Sequence, residues 1–174
     1  MIILGIDPGY AIVGWGVLRY EAGRFGVLGY GAVTTPAKTE FGARLEQIYD
    51  ELSVIITQYR PDAMAIEKLY FNTNVTTAIG VAEARGCIEL AAKKGGLTVH
   101  EYTPLQVKQS VTGYGKAVKN QVMEMTRLLL GLPSVPKPDD TADALALAIC
   151  HAHSAGSLMG KINGQEGKRK CSIR

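Results

Sequence analysis

The sequence predicts an α/β fold, a mixed sheet with helices on its faces, and three observations carry that expectation. Met1-Ile-Ile-Leu-Gly-Ile-Asp7 and Ala63-Met-Ala-Ile-Glu67 are short apolar runs that each end in an acid. Runs without polar alternation belong in the centre of a sheet covered on both faces. Between and after them lie long segments of helical periodicity, the alternation that builds parallel crossovers. Finally, 174 residues that are 47% apolar suffice for one good core and are short for two.

The first strand stops at Asp7-Pro8-Gly9, because neither Pro nor Gly extends a ladder. Ala11 to Tyr20 and Arg24 to Thr34 are two further strand-like runs, and Glu21-Ala22-Gly23 between them predicts a hairpin. Gly14 and Gly16 share one face of the first run and permit close approach of backbone, helix or ligand, with packing the simpler explanation. Phe41, Leu45, Ile48, Leu52, Ile55 and Tyr59 are spaced for one face of an amphipathic helix, with Thr39 as its cap and Pro61 as its stop. Thr73 to Lys94 is Ala-rich and closed by Gly95-Gly96, and its small residues occupy more than one face. Leu97 to Tyr102 is the next strand, and Thr103-Pro104 starts a short helix in the favoured order of cap and first-turn Pro. Gly113-Tyr-Gly-Lys116 breaks the chain before a helix from Val118 to Leu130, and a last helix runs from Asp139 to about His153. Helical crossovers make the strands ending at Glu67 and Tyr102 parallel to the first, so Asp7 and Glu67 are expected at one edge of the sheet.

The net charge of +3 is unevenly placed. Residues 156–174 hold Lys161, Lys168, Arg169, Lys170 and Arg174 against Glu166, and without them the 19 basic and 16 acidic residues fall to 14 and 15. Residues 1–155 are therefore expected to form the folded domain, and 156–174 a basic, disordered tail with affinity for polyanions. Cys87, Cys150 and Cys171 are odd in number and widely spaced, as reduced cytoplasmic thiols are. No run approaches the ~18 apolar residues that span a bilayer, and no secretory leader is visible.

Asp7 is the organising point, because ligands of open α/β sheets gather at the carboxyl ends of strands. The bland alternative makes it only the start of a turn. Asp140 and Asp143 are three apart on one helix face, and Asp139 needs no role beyond the helix start. An acid one turn deeper, followed by Ala144-Leu-Ala-Leu-Ala-Ile149, is a costly place for a lone charge. Gathered together, Asp7, Glu67, Asp140 and Asp143 repel unless a cation sits among them, and oxygen-only ligands select Mg²⁺ or Mn²⁺. A pair of such ions drives in-line displacement at a phosphodiester. Lys108, Lys116 and Lys119 are suited to holding phosphates, and Tyr70 and Phe71, a few residues past Glu67, to stacking on bases or to plugging the core. His151 and His153 point to different sides of their helix and form no ligand pair.

In order, the blocks are GIDPG at 5–9, AIE at 65–67, QVKQ at 106–109, TGYGKA at 112–117 and DTADALALAI at 140–149. Over roughly Ile2 to His153 the chain thereby resembles the RuvC family of Holliday-junction resolvases, within the ribonuclease H-like superfamily. The resemblance implies a ribonuclease H-like five-stranded mixed sheet in the order 3-2-1-4-5 flanked by helices, a homodimer, and symmetric nicking of two like-polarity strands of a four-way DNA junction. It implies metal-binding acids at Asp7, Glu67, Asp140 and Asp143, catalytic or phosphate-binding lysines at Lys108 and Lys119, and work beside a RuvA–RuvB branch-migration complex. Where the family commonly carries Gln and Phe, this sequence has Lys68 and Tyr70, so the aromatic role falls to Tyr70 and Phe71 jointly. A ribonuclease H would share the acids without a reason for TGYGKA. An actin-like ATPase needs two subdomains, and a noncatalytic junction binder has no need of all four acids.

Overall fold

The computed structural model describes residues 1–69 and 75–156, without the side chains of 75–77. Tyr70, Phe71 and Cys171 lie outside the described residues, as does the tail from 157 onward.

Five strands, β1 (Ile2–Asp7), β2 (Ile12–Glu21), β3 (Arg24–Thr34), β4 (Ala63–Glu67) and β5 (Thr98–Tyr102), form one mixed sheet in the order β3-β2-β1-β4-β5. The β2–β3 hairpin turns on Ala22 and Gly23 alone, both at positive φ (49° and 78°), and Glu21 belongs to the strand. Such a two-residue turn matches the twist of paired strands. β4 runs parallel to β1 with Ile6 opposite Ile66, and β5 parallel to β4 with Glu67 opposite Tyr102.

The strand alternation divides the molecule into two cores. Leu4, Ile6, Val13, Val17, Met64 and Ile66 face α1 (Phe41–Tyr59) and α2 (Val75–Lys94). Ile3, Leu18 and Ala65 face α3 (Pro104–Thr112), α4 (Lys119–Leu129) and α5 (Asp139–Gly156). By the same period of two, Gly5 and Asp7 on β1 and Glu67 on β4 point to the α5 side. Asp7 and Glu67 therefore share an edge and a face.

Helix ends follow local chemistry. α1 is capped by Glu40, whose carboxylate accepts from the Gly42 and Ala43 N–H groups, and not by Thr39. It ends at Arg60 in the left-handed conformation before Pro61. Thr103 and Gln106 form a reciprocal capping box at the start of α3, and Gly113 (φ 74°) closes it.

α5 lies directly on the sheet because glycine removes the side chains beneath it. A Cβ on Gly5 would stand 1.9 Å from the Ala144 carbonyl oxygen, and one on Gly14 would stand 2.0 Å from that of Asp140. At Gly16 the obstacle is the flexible end of Leu145. Gly5 pairs with Gly16 and Asp7 with Gly14 across β1–β2. The glycine floor thus runs up to Asp7 and sets the first turn of α5 against it. Beneath this layer, His151 is buried, shares a 2.7 Å hydrogen bond with Tyr102 Oη, and lies against His100. Burial and then the His100 charge push its imidazole down to about 4. His151 is structural, as is His153, which is bonded to Ser110. Cys87 and Cys150 are free thiols.

Candidate active site

Asp7 at the tip of β1, Glu67 at the tip of β4 and Asp143 on the second turn of α5 line one cleft of about 220 Å³ with Lys108 from α3 and Lys119 from α4. Pro104, Val107, Val122 and Leu147 form its apolar wall. A cleft of this size holds a phosphodiester group with a few waters. Asp140 does not line it, yet stands close enough for its charge to act on Asp7. Lys116 is exposed in the loop before α4 and does not line the cleft.

Burial and mutual charge together set the state of the acids. Burial first, then the charges of Asp143, Glu67 and Asp140, push the Asp7 carboxyl up from its ordinary 3.8 to about 8. Burial and the Asp143 charge raise Glu67, against a smaller opposing pull from Arg85. Asp143 is raised by burial, although Lys119 opposes this. Burial works to lower the Lys119 ammonium, but its hydrogen bond and charge pairing with Asp143 and the charges of Asp139 and Asp140 outweigh it. Lys119 Nζ is 3.1 Å from Asp143 Oδ2 and 3.7 Å from Asp139 Oδ2. Asp139 also accepts from Lys137 at 2.6 Å, so it belongs to the ion-pair network and not only to the helix start.

These side chains suit a hard divalent cation: the donors are carboxylate oxygens, and the burial and mutual repulsion that raise Asp7, Glu67 and Asp143 are costs a cation would offset. Among the described residues no three acidic, His or Cys side chains are drawn tightly enough to enclose one ion as they stand. The Lys119 ammonium partly offsets the mutual repulsion of the acids.

The raised Asp7 predicts how the metal-free protein responds to pH. Between 3.8 and about 8 the folded chain keeps a proton that the unfolded chain has lost. Its stability is therefore highest below that window and falls as pH rises through it, by up to about 1.4 kcal/mol per pH unit for each such proton. Glu67 and Asp143 act in the same direction. Denaturant melts in EDTA should show this slope, and Asp7→Asn should flatten it. An unchanged slope would mean that Asp7 titrates normally.

The structure brings together Asp7, Glu67, Asp143, Lys108 and Lys119, with Asp140 adjacent; Tyr70 and Phe71 are outside the described residues. Sequence reasoning missed Gly5, whose only signal was its position two residues before Asp7, and Arg85, which donates to the Glu67 carbonyl oxygen.

The family profile described as "Crossover junction endodeoxyribonuclease RuvC" matches residues 3–151. The crossover junction endodeoxyribonuclease RuvC of Ruminiclostridium cellulolyticum is 56% identical over 162 residues, covering 92% of this chain and 98% of its own. The Thermus thermophilus RuvC structure superposes with a TM-score of 0.82 at 35% identity, covering 89% of this chain and 95% of that one. The T. thermophilus RuvC structure in complex with Holliday junction substrate superposes at 0.84 and 32% identity, over 91% and 98% of the two chains. Family profile, relative and solved folds agree over the same span that contains the acid cleft, and the chain belongs to the RuvC family of crossover junction endodeoxyribonucleases.

Proposed function

We propose that this protein resolves Holliday junctions during recombination and repair, nicking two like-polarity strands of four-way DNA symmetrically by metal-dependent phosphodiester hydrolysis. The observation that carries this reading is the convergence of Asp7, Glu67 and Asp143 with Lys108 and Lys119 on one cleft at the carboxyl edge of the sheet. Asp7, Glu67, Asp140 and Asp143 are assigned as the ligands of Mg²⁺, with Mn²⁺ able to replace it, in a site for two ions. Bound there, the ions would activate the attacking water and stabilise the leaving oxygen.

The chain's own groups supply the rest. Asp7 and Glu67 leave the sheet on one face, so a phosphate entering the cleft meets both. The Lys119 side chain is itself more than half exposed, so this ammonium is free to turn from Asp143 to a phosphate oxygen. Lys108 on α3 lines the same cleft. Lys116 on its exposed loop would hold DNA backbone outside the cleft. Tyr70 and Phe71, following Glu67, are assigned to stacking on or wedging bases beside the scissile phosphate. Lys108→Ala and Lys119→Ala should lower turnover at saturating junction by about 10–100-fold while changing affinity little, as for groups that act on transition-state charge. Single-turnover rates and binding isotherms at several salt concentrations check this. Loss of affinity with a reduced salt slope would make them plain backbone contacts.

A junction has two strands to cut, and a symmetric homodimer places two sites about one axis. On α2, Ile79 and Leu90 are 56% and 53% exposed on a stripe that includes Glu83 and Gly86. A Cβ on Gly86 would meet nothing within 4 Å. This is the face assigned to the partner, beyond the inward-packed Ala84, Ile88, Ala91 and Ala92. Light scattering should report a dimer and Leu90→Glu a monomer; a monomeric wild type, free and on the junction, would refute the assignment. We read 1–155 as the nuclease domain and 156–174 as a basic tail, in a cytoplasmic protein that works with the RuvA–RuvB branch-migration complex. Among the described residues no helix is long and apolar enough to cross a membrane.

The reading is tested by incubating the protein with matched four-way junction, linear duplex and RNA–DNA hybrid, in Mg²⁺ or EDTA. Paired nicks in the junction alone, and only with Mg²⁺, are expected. Preferential cutting of the hybrid would point to a ribonuclease H activity instead.

A further inference from the structure

Arg85 on α2 is a charge that the chemistry above does not use, and it is only 7% exposed. Its Nε donates to Glu89 Oε1 at 2.8 Å, one turn along the helix. Its Nη2 donates to the Glu101 carboxylate on β5, and its Nη1 to the main-chain carbonyl oxygen of Glu67. The three partners are unequal. The Glu89 and Glu101 side chains are 46% and 49% exposed and have water available. The Glu67 carbonyl belongs to the residue after Ile66, where the last β1–β4 pair is made. Two half-exposed acids do not require a guanidinium buried to this degree, since burying one is costly unless its donors are well met. The planar fork adds a third direction, toward the strand tip.

That direction matters because the same peptide unit is held from its other side. The Lys68 N–H donates to the Tyr102 carbonyl oxygen at 2.8 Å. The peptide plane between Glu67 and Lys68 is thereby fixed at both its oxygen and its nitrogen, where the chain leaves β4. Loss of these two bonds would free the end of β4 to shift, and with it the Glu67 Cα from which the carboxylate projects.

We infer that Arg85 is a positioning residue for Glu67: its guanidinium clamps the peptide at the β4 tip and so aims the Glu67 carboxylate at the site where metal is bound. The inference rests on the reading of Glu67 as a metal ligand. Partners that orient a ligand typically change metal affinity by about 10–100-fold when removed. A lysine keeps the charge at 85 but cannot reach three acceptors in one plane, and a glutamine loses the charge as well.

The test is Mn²⁺ titration of the DNA-free protein, followed by the electron paramagnetic resonance of free Mn²⁺, for wild type and for Arg85→Lys, Arg85→Gln, Glu89→Gln, Glu101→Gln and Glu67→Gln. Arg85→Lys and Arg85→Gln should bind Mn²⁺ about tenfold more weakly. The Mg²⁺ concentration for half-maximal junction cleavage should rise by the same factor, with the rate at saturating Mg²⁺ within about twofold of wild type. Glu89→Gln and Glu101→Gln, which remove other partners of the same guanidinium, should keep the wild-type Mn²⁺ midpoint even where they lower the melting temperature. Wild-type Mn²⁺ binding by Arg85→Lys, or an equal loss in Glu89→Gln, would reduce Arg85 to a structural ion pair and overturn the inference. Should Arg85→Gln not fold, Arg85→Lys decides alone. Wild-type binding by Glu67→Gln would instead remove Glu67 from the ligand set, whereas its loss beside an unaffected Arg85→Lys would leave Glu67 in place and reject the clamp.

Discussion

Asp7→Asn, Glu67→Gln, Asp140→Asn and Asp143→Asn should each lower metal-dependent nicking of a four-way junction by about 100-fold or more while junction binding persists. The magnitude follows from comparison: losing a group that merely orients a ligand costs about 10–100-fold in metal affinity or activity, and losing the ligand itself costs more. Binding persists because phosphate contacts from basic residues, and not the acids, hold the DNA. Charge supplies a second, opposite signature. Burial, and then the charges of Asp143, Glu67 and Asp140, push the Asp7 acid up to about 8, so at neutral pH Asp7→Asn should melt at a higher temperature than wild type in EDTA. One substitution that stabilises the metal-free fold and stops the chemistry is hard to explain by misfolding. Asp139→Asn should be milder, since its carboxylate pairs with Lys137 and Lys119 at the rim. Near-normal cleavage by any of the four variants at saturating Mg²⁺ would remove that residue from the ligand set.

The second large effect is expected at glycines that touch no substrate. A methyl on Gly14 would overlap the Asp140 carbonyl and one on Gly5 the Ala144 carbonyl, backbone against backbone, so α5 itself must move. Overpacking a well-filled interior costs about 1–3 kcal/mol. At Gly5 the movement is spread along the middle of α5, so Gly5→Ala should chiefly lower stability. Gly14 lies under the first turn, opposite Asp7, so Gly14→Ala should displace Asp140 and Asp143 and lower cleavage by at least tenfold in folded protein. Gly16→Ala meets the movable end of Leu145 and should be the mildest. Thermal melts and single-turnover cleavage of the three variants separate these outcomes; equal activity in Gly14→Ala and Gly16→Ala would contradict the role given to the floor.

Much of this arrangement was legible because it follows from short periodicities. Alternation along β1 and β4 places Asp7 and Glu67 on one face once the two strands are parallel neighbours, and the spacing of three places Asp140 and Asp143 on one helix side. Thr103 with Pro104, and Gly113, marked the ends of α3 by familiar capping chemistry. What the sequence hid depends on partners distant along the chain. Gly5 reads as a neutral member of an apolar run until α5 is laid across it. Arg85 has one acceptor four residues along its helix, but the two that tie it to the sheet lie 16 and 18 residues away, which no local pattern reveals. Glu40 displaced Thr39 as the cap of α1 because its longer side chain folds back onto the N–H groups of Gly42 and Ala43. The offset of Asp140 from the cleft reflects the rotation of α5 on its glycine floor, which spacing alone does not determine.

We assign the cleft between the tips of β1 and β4 and the first turns of α5 as the metal centre of a junction nuclease. An anomalous difference map from crystals of the protein grown with Mn²⁺ tests this assignment most directly. Density is expected inside the cleft, within coordination distance of Asp7 and at least one of Glu67, Asp140 and Asp143, with Lys119 turned away from Asp143. Mn²⁺ bound elsewhere, with Asp143 still paired to Lys119, would contradict it.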